Sequence, residues 1–175
     1  MDYFLTSERL GFRVWAERDL PLAIALWGDP DVTRLIDARG QLTDTQVRGR
    51  LTSERASQAE HGVQYWPIFL LEGGEHVGCC GLHPREAGDG VFELGVHLRP
   101  THWRHGYGLE ASRAVIDYAF TVLRVKELFA GHNPENAASR SLLGKLGFAY
   151  THDETYAPTG LQHPSYVLRR KDVRA

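Results

Sequence analysis

The segment Glu93–Ala111 restricts the fold of this 175-residue chain more than any other, because it reads as a strand, a glycine-bearing turn and a helix start in direct succession. Alternation along it places Phe92, Leu94, Val96 and Leu98 on one strand face and Glu93, Gly95 and His97 on the other. The run Trp103-Arg104-His105-Gly106-Tyr107-Gly108 then turns into a helix over Leu109–Leu123, with Ala111, Ala114, Val115, Tyr118, Ala119 and Val122 at core-facing spacing. Glycines at 106 and 108 let backbone N–H groups approach an anion closely, at the positive end of a helix dipole. The run contains neither G-x-x-x-x-G-K-[ST] nor a complete G-x-G-x-x-G fingerprint. Farther along, Asn133-Pro134-Glu135-Asn136-Ala137-Ala138-Ser139 and Lys145-Leu146-Gly147-Phe148 outline a second helix. Its signals are Asn133 as N-cap, Pro134 at the first helical position and Gly147 just past the end.

The remaining elements frame these two. Leu10, Phe12 and Val14 alternate in a first strand, Arg9–Trp15. Asp19 is placed to cap a helix over Leu20–Trp27 that stops at Gly28. Thr43 and Gln46 form a capping box before a mostly polar helix, with Val47 and Leu51 one turn apart, which lies over a site or against the sheet edge. Gln64–Leu71 and Glu75–Leu82 flank Gly73-Gly74, and Gly88-Asp89-Gly90 leads into Val91–Leu98, giving an antiparallel meander. Leu128–Gly131 is a short strand, and Phe148–Tyr156 with Pro164–Arg170 is a hairpin about Pro158-Thr159-Gly160. The order predicts one mixed α+β domain over residues 1–175, with 171–175 as a frayed tail.

Composition narrows the function. Net charge is −2, so no basic excess points to nucleic acid or a membrane surface. No apolar run approaches the roughly 18 residues that span a bilayer, and no basic-apolar leader opens the chain, so a cytoplasmic location is expected. Cys79 and Cys80 are adjacent, which turns them to opposite faces of a strand and fits a reducing compartment. The nine histidines lack the spacing of a metal site, so no metal is expected.

Taken together, Thr6-x-Glu8-Arg9-Leu10, Trp27-Gly28-Asp29-Pro30, Arg99-Pro100-x-His102-Trp103-x-x-Gly106-Tyr107-Gly108-x-Glu110-Ala111, Asn133-x-x-Asn136-x-x-Ser139 and Lys145-Leu146-Gly147-Phe148 resemble the GNAT superfamily of acyl-CoA-dependent N-acetyltransferases. The likeness is to the subgroup containing ribosomal-protein N-terminal (alanine/serine) acetyltransferases. It implies a mostly antiparallel sheet of about seven strands with helices on both faces. The sheet would be splayed between the fourth and fifth strands, Val91–Leu98 and Leu128–Gly131. It implies that acetyl-CoA lies in that splay, its pyrophosphate on Trp103, Arg104, His105, Gly106, Tyr107 and Gly108. Leu98, Asn133, Asn136 and Ser139 would complete the cofactor contacts. Where the superfamily usually has Gln or Arg at the first position of the glycine turn, this chain has Trp103. Where many members carry a tyrosine acid, it has Leu143, so Ser139 is the candidate donor to the leaving thiolate.

Glu93 is open to two readings, a general base desolvated in a cleft or a carboxylate on a solvated strand face. Trp27, Tyr65 and Trp66, with Tyr150, are candidates to line an acceptor pocket, and aromatic residues of this kind equally belong to a core. The expectation is therefore an N-acetyltransferase moving an acetyl group from acetyl-CoA to an amine by direct attack, with Glu93 and Ser139 as catalytic groups. The acceptor is a small-molecule amine or a protein N-terminus, and a homodimer is expected by analogy. A non-catalytic acyl-CoA-binding or sensor domain is the alternative.

Overall fold

The computed structural model describes residues 2–85 and 90–170. The expected tail at 171–175 and most of the turn Gly88-Asp89-Gly90 lie outside the described residues. In chain order the elements are β1 (Leu5–Thr6), β2 (Leu10–Phe12), α1 (Leu20–Trp27), α2 (Pro30–Thr33), α3 (Asp44–His61), β3 (Tyr65–Leu70), β4 (His76–Pro84), β5 (Val91–Leu98), α4 (Tyr107–Thr121), β6 (Glu127–Gly131), α5 (Ala137–Leu146), β7 (Ala149–Tyr156) and β8 (Leu161–Arg169). The eight strands form one sheet in the order β1-β2-β3-β4-β5-β6-β8-β7. Only the β5–β6 pair, at its centre, is parallel among the described strands.

Strand alternation builds a separate core on each face. Trp66, Cys80, Leu82 and Leu94 turn one way, under Val115, Ile116 and Ala119 of α4 and Leu143 of α5. Tyr65 and Cys79 turn the other way, under Leu26 and Trp27 of α1 and Val47 and Leu51 of α3. The adjacent cysteines are therefore buried in different cores and unpaired. No helix among the described residues is long and apolar enough to cross a membrane.

Several boundaries depart from the sequence reading. The first strand is shorter, Leu10–Phe12, because its next partner on β3 would be Pro67, which has no N–H to continue the ladder. A short β1 pairs outside it, making eight strands rather than seven. Asp19 precedes α1, but its carboxylate does not cap the helix. It accepts instead from both Nη atoms of Arg13, at 2.6 and 2.9 Å, and from the Ala16 N–H at 2.7 Å. Helix α4 starts two residues early and ends at Thr121, which leaves Val122 60% exposed while Ile116 and Phe120 take core positions. Helix α5 starts at Ala137, not at Pro134. The residue before a proline is steered away from helical φ/ψ, so Asn133 makes a turn, its Oδ1 accepting from the Glu135 N–H at 3.0 Å. Asn136 is the N-cap, its Oδ1 accepting from the Ser139 N–H at 3.0 Å. The Thr43–Gln46 capping box and the left-handed Gly147 stop are as the sequence predicts.

Candidate active site

Parallel pairing between β5 and β6 runs from Val91–Glu127 to Glu93–Phe129 and stops there, although both strands continue. The chains splay beyond Glu93, and among the described residues the β6-facing edge of Leu94–Leu98 has no strand partner. An edge of this kind offers peptide N–H and C=O groups to any extended ligand that carries amides of its own.

The glycine turn closes one end of the split. Arg104 has φ 65° and Gly106 has φ 83°, two left-handed residues that curl the backbone. Gly106 is the N-cap of α4 and offers no side chain to the helix, and among the described residues nothing accepts from the N–H groups of Tyr107, Gly108 or Leu109. A polar clamp holds the turn in shape. Glu110 Oε1 accepts from Ser7 Oγ and from the Arg9 N–H, both at 2.7 Å, and its Oε2 accepts from Arg9 Nε at 2.7 Å. Arg9 Nη1 also donates to the His105 carbonyl at 3.2 Å, and the guanidinium covers the Tyr107 ring at 4.6 Å. Burial pushes the Glu110 carboxyl up, but these donors outweigh it and hold the group below its usual range. Beside the clamp lies a groove of about 500 Å³ between Thr6–Arg9 and Gly106, Leu109 and Arg113.

At the fork, on the α1–α3 face of the sheet, stands a group of polar side chains. The Tyr65 ring lies over Gly95, where a Cβ would collide with it, and the β4–β5 register runs through Gly95 without a shift. Its hydroxyl donates to Glu93 Oε1 at 3.5 Å. His83 stacks on Tyr65 with centroids 3.9 Å apart and reaches Glu54 Oε2 at 2.8 Å, and Glu54 also accepts from the Tyr65 N–H at 2.8 Å. Glu93 is not on a solvated face. Burial raises its pKa, against the opposing charges of His83 and Arg85. His97 meets Tyr65 edge-on at 5.6 Å and accepts from Trp27 Nε1 through Nδ1 at 3.2 Å. Indole N–H is only a donor, so Nδ1 is bare and the His97 proton sits on Nε2. Burial, with the charges of Arg50 and His83, lowers the His97 pKa well below its usual value and keeps the ring neutral.

The sequence-derived residues therefore separate. Glu93 and Tyr65 meet at the fork. Trp27 is wholly buried and donates to His97, so it presents no surface to an acceptor. Trp66 is one residue from Tyr65 and faces the opposite core, packed against Phe4 and Tyr118. Tyr150 is 57% exposed on β7. Trp103 turns its indole N–H onto the Leu98 carbonyl at 2.8 Å, which leaves backbone groups to face an anion at this position. Asn136 Oδ1 is taken by its cap, leaving the amide NH₂ as donor. Ser139 lies in the first turn of α5, and no hydrogen bond joins it to Glu93 among the described residues. Leu143 is buried in the core. Sequence reasoning missed Glu54, His83, Arg50 and Tyr156. Glu54 had a signal, since it falls on the same helical stripe as Val47 and Leu51. Among the described residues, no group of three or more His, Cys, Asp or Glu is arranged to hold a metal ion.

Comparison with known proteins bears on this geometry. A family model described as an acetyltransferase (GNAT) domain matches residues 9–149. The uncharacterised N-acetyltransferase p20 of Bacillus licheniformis is 31% identical over 144 residues, covering 82% of this chain and 81% of the relative. A GNAT-family acetyltransferase from Bacillus anthracis superposes with a TM-score of 0.82 at 21% identity, over 95% of this chain and 98% of that one. Mycobacterium smegmatis RimJ, in complex with CoA-disulfide, superposes with a TM-score of 0.79 at 19% identity, over 95% and 84%. At those identities the two structures bear on the fold alone.

Proposed function

Because the chain belongs to the GNAT acetyltransferase family, we propose that it binds acetyl-CoA along the split between β5 and β6 and transfers the acetyl group to a primary amine held at Glu93. The observation that carries this reading is the end of β5–β6 pairing at Glu93–Phe129, next to a helix N-terminus with unclaimed N–H groups. The pantetheine amides would pair with the open edge of Leu94–Leu98. The pyrophosphate would take the N–H groups of Arg104–Leu109, and Arg9 and Arg113 flank the adjoining groove. The Asn136 NH₂, three residues before Ser139 at the start of α5, would be a donor at the other wall.

The amine must lose its proton before it attacks. Glu93, whose raised pKa keeps it basic enough to accept that proton, takes it directly or through one water. The neutral nitrogen then bonds to the thioester carbonyl carbon; as the C–S bond breaks, the thiolate takes a proton from Ser139 Oγ or water, and the proton shed by the acylated nitrogen restores that donor. Much of the rate would come from holding two reactants at one fork. A domain that binds acyl-CoA without turnover is the second reading. It is favoured only by Leu143, a buried hydrocarbon where many relatives carry an acid.

Calorimetry with acetyl-CoA, paired with thiol release over a panel of amines and N-terminal peptides, tests both. Saturable binding with thiol release from one acceptor class is the expected result. Binding without release from any acceptor would favour the second reading, and no binding would overturn the first.

A further inference from the structure

Among the described residues Arg50, on the α1–α3 face of the sheet, makes no ion pair. It projects from α3 over the Trp27 ring, 4.8 Å from the centroid, and its Nε is sealed from solvent with no hydrogen-bond partner among the described residues. The nearby carboxylates are occupied. Asp37 is gripped by Arg39, with bonds of 2.8 and 2.5 Å, and Glu54 by the Tyr65 N–H and His83. A sealed guanidinium N–H without an acceptor carries a desolvation cost, and among the described residues no hydrogen bond claims the Nη atoms of this half-buried side chain, so they can meet an entering anion. Beneath Arg50, contacts run through Trp27 to His97, Tyr65 and Glu93 in turn. His97 adds a second donor, since its Nε2–H has no acceptor among the described residues. Burial chiefly raises the Tyr156 pKa, and the charges of Glu93 and Arg50 act on its hydroxyl in opposite senses.

The geometry points to an acceptor that carries a carboxylate on the same small molecule as its amine: an amino-acid-like substrate with the carboxylate on Arg50 and His97 Nε2–H and the amine at Glu93. The planar guanidinium fork suits a carboxylate in two-point contact. A protein N-terminus would bring a peptide bond to Arg50 in place of that anion. This assignment rests on the transferase reading above.

The test uses the full chain, saturating acetyl-CoA and matched acceptors: leucine with leucinamide, phenylalanine with phenylalaninamide, and peptides beginning with alanine or serine. The free acids are expected to exceed their amides by about tenfold or more in kcat/KM, with the difference carried by KM. Arg50→Gln should bring that ratio close to one, and Arg50→Lys should restore part of it, which a merely structural role would not do. Acetyl-CoA calorimetry reports whether each variant is folded, and if Arg50→Gln is not, Arg50→Lys decides by its smaller ratio. A ratio near one in the unmodified protein, a ratio untouched by either substitution, or turnover of peptides alone would overturn the assignment and leave acetyl transfer standing. Acetyl-CoA binding with turnover of no amine would overturn the transferase reading and this one with it.

Discussion

Glu93 sits where burial is useful for proton transfer and costly for folding. Its raised pKa means that the basic form accumulates only as pH rises through that value, so activity should climb with pH until both Glu93 and the amine have lost their protons. The stability effect runs in the opposite sense. A carboxyl whose folded pKa lies above its unfolded value contributes stability below the unfolded value and loses it as pH rises through the folded one. Above that window the ionised group therefore costs stability, and there Glu93→Gln should raise Tm while lowering kcat by about 100-fold or more. Melting curves and thiol release on the same preparation check this; a lower Tm with unchanged kcat would remove Glu93 from the mechanism. Alternation in the sequence put Glu93 and His97 on one face but not what covers that face. The cover comes from α1 and α3, whose side chains reach the sheet through tertiary contacts that spacing does not encode. For the same reason Trp66 and Tyr65 looked equivalent, although one lies under α4 and the other under α3.

The glycine turn is an element whose shape depends on partners far away in sequence. Glu110 on α4 ties the turn to Ser7 and Arg9 beside β2, which gives a physical reason for the Thr6–Leu10 and Gly106–Ala111 motifs to occur together. Gly106 has open space around its missing Cβ, the nearest atom being Arg9 Nη2 at 3.5 Å, so a substitution there meets strain only from the φ of 83°. Gly106→Ala is expected to cost about 1–2 kcal/mol in the left-handed conformation. The turn is expected to relax to avoid that cost, so that acetyl-CoA affinity falls by about tenfold, as calorimetry would read it. Unchanged affinity would sink the pyrophosphate assignment. Helix boundaries were legible where one cap residue decided them, as at Thr43 and Gly147. They were not at Asn133 and Asn136, two asparagines three apart, where the proline between them selects the second.

At the scale of the whole molecule, the sheet is continuous except along one internal line. A ligand that fills that line binds only the folded chain, so acetyl-CoA at 100 times its Kd should add about 2.7 kcal/mol. That corresponds to a rise in Tm of about 5–10 °C for a chain of this size. A Tm unmoved by saturating acetyl-CoA would contradict the placement. The order of elements announced the mixed α+β class, but the parallel β5–β6 pair and its early end depend on how the two strands diverge, which no local pattern records. The division of labour across the sheet also bears on how such chains diverge. On the reading proposed above, the cofactor side would rely mainly on main-chain groups, which nearly every substitution preserves, whereas the acceptor side would be built from side chains such as Arg50, Tyr65, His97 and Tyr156. Descendants of one ancestor can therefore exchange acceptors within a few substitutions while keeping the same acyl donor, and sequence drift erodes substrate preference long before it erodes the reaction.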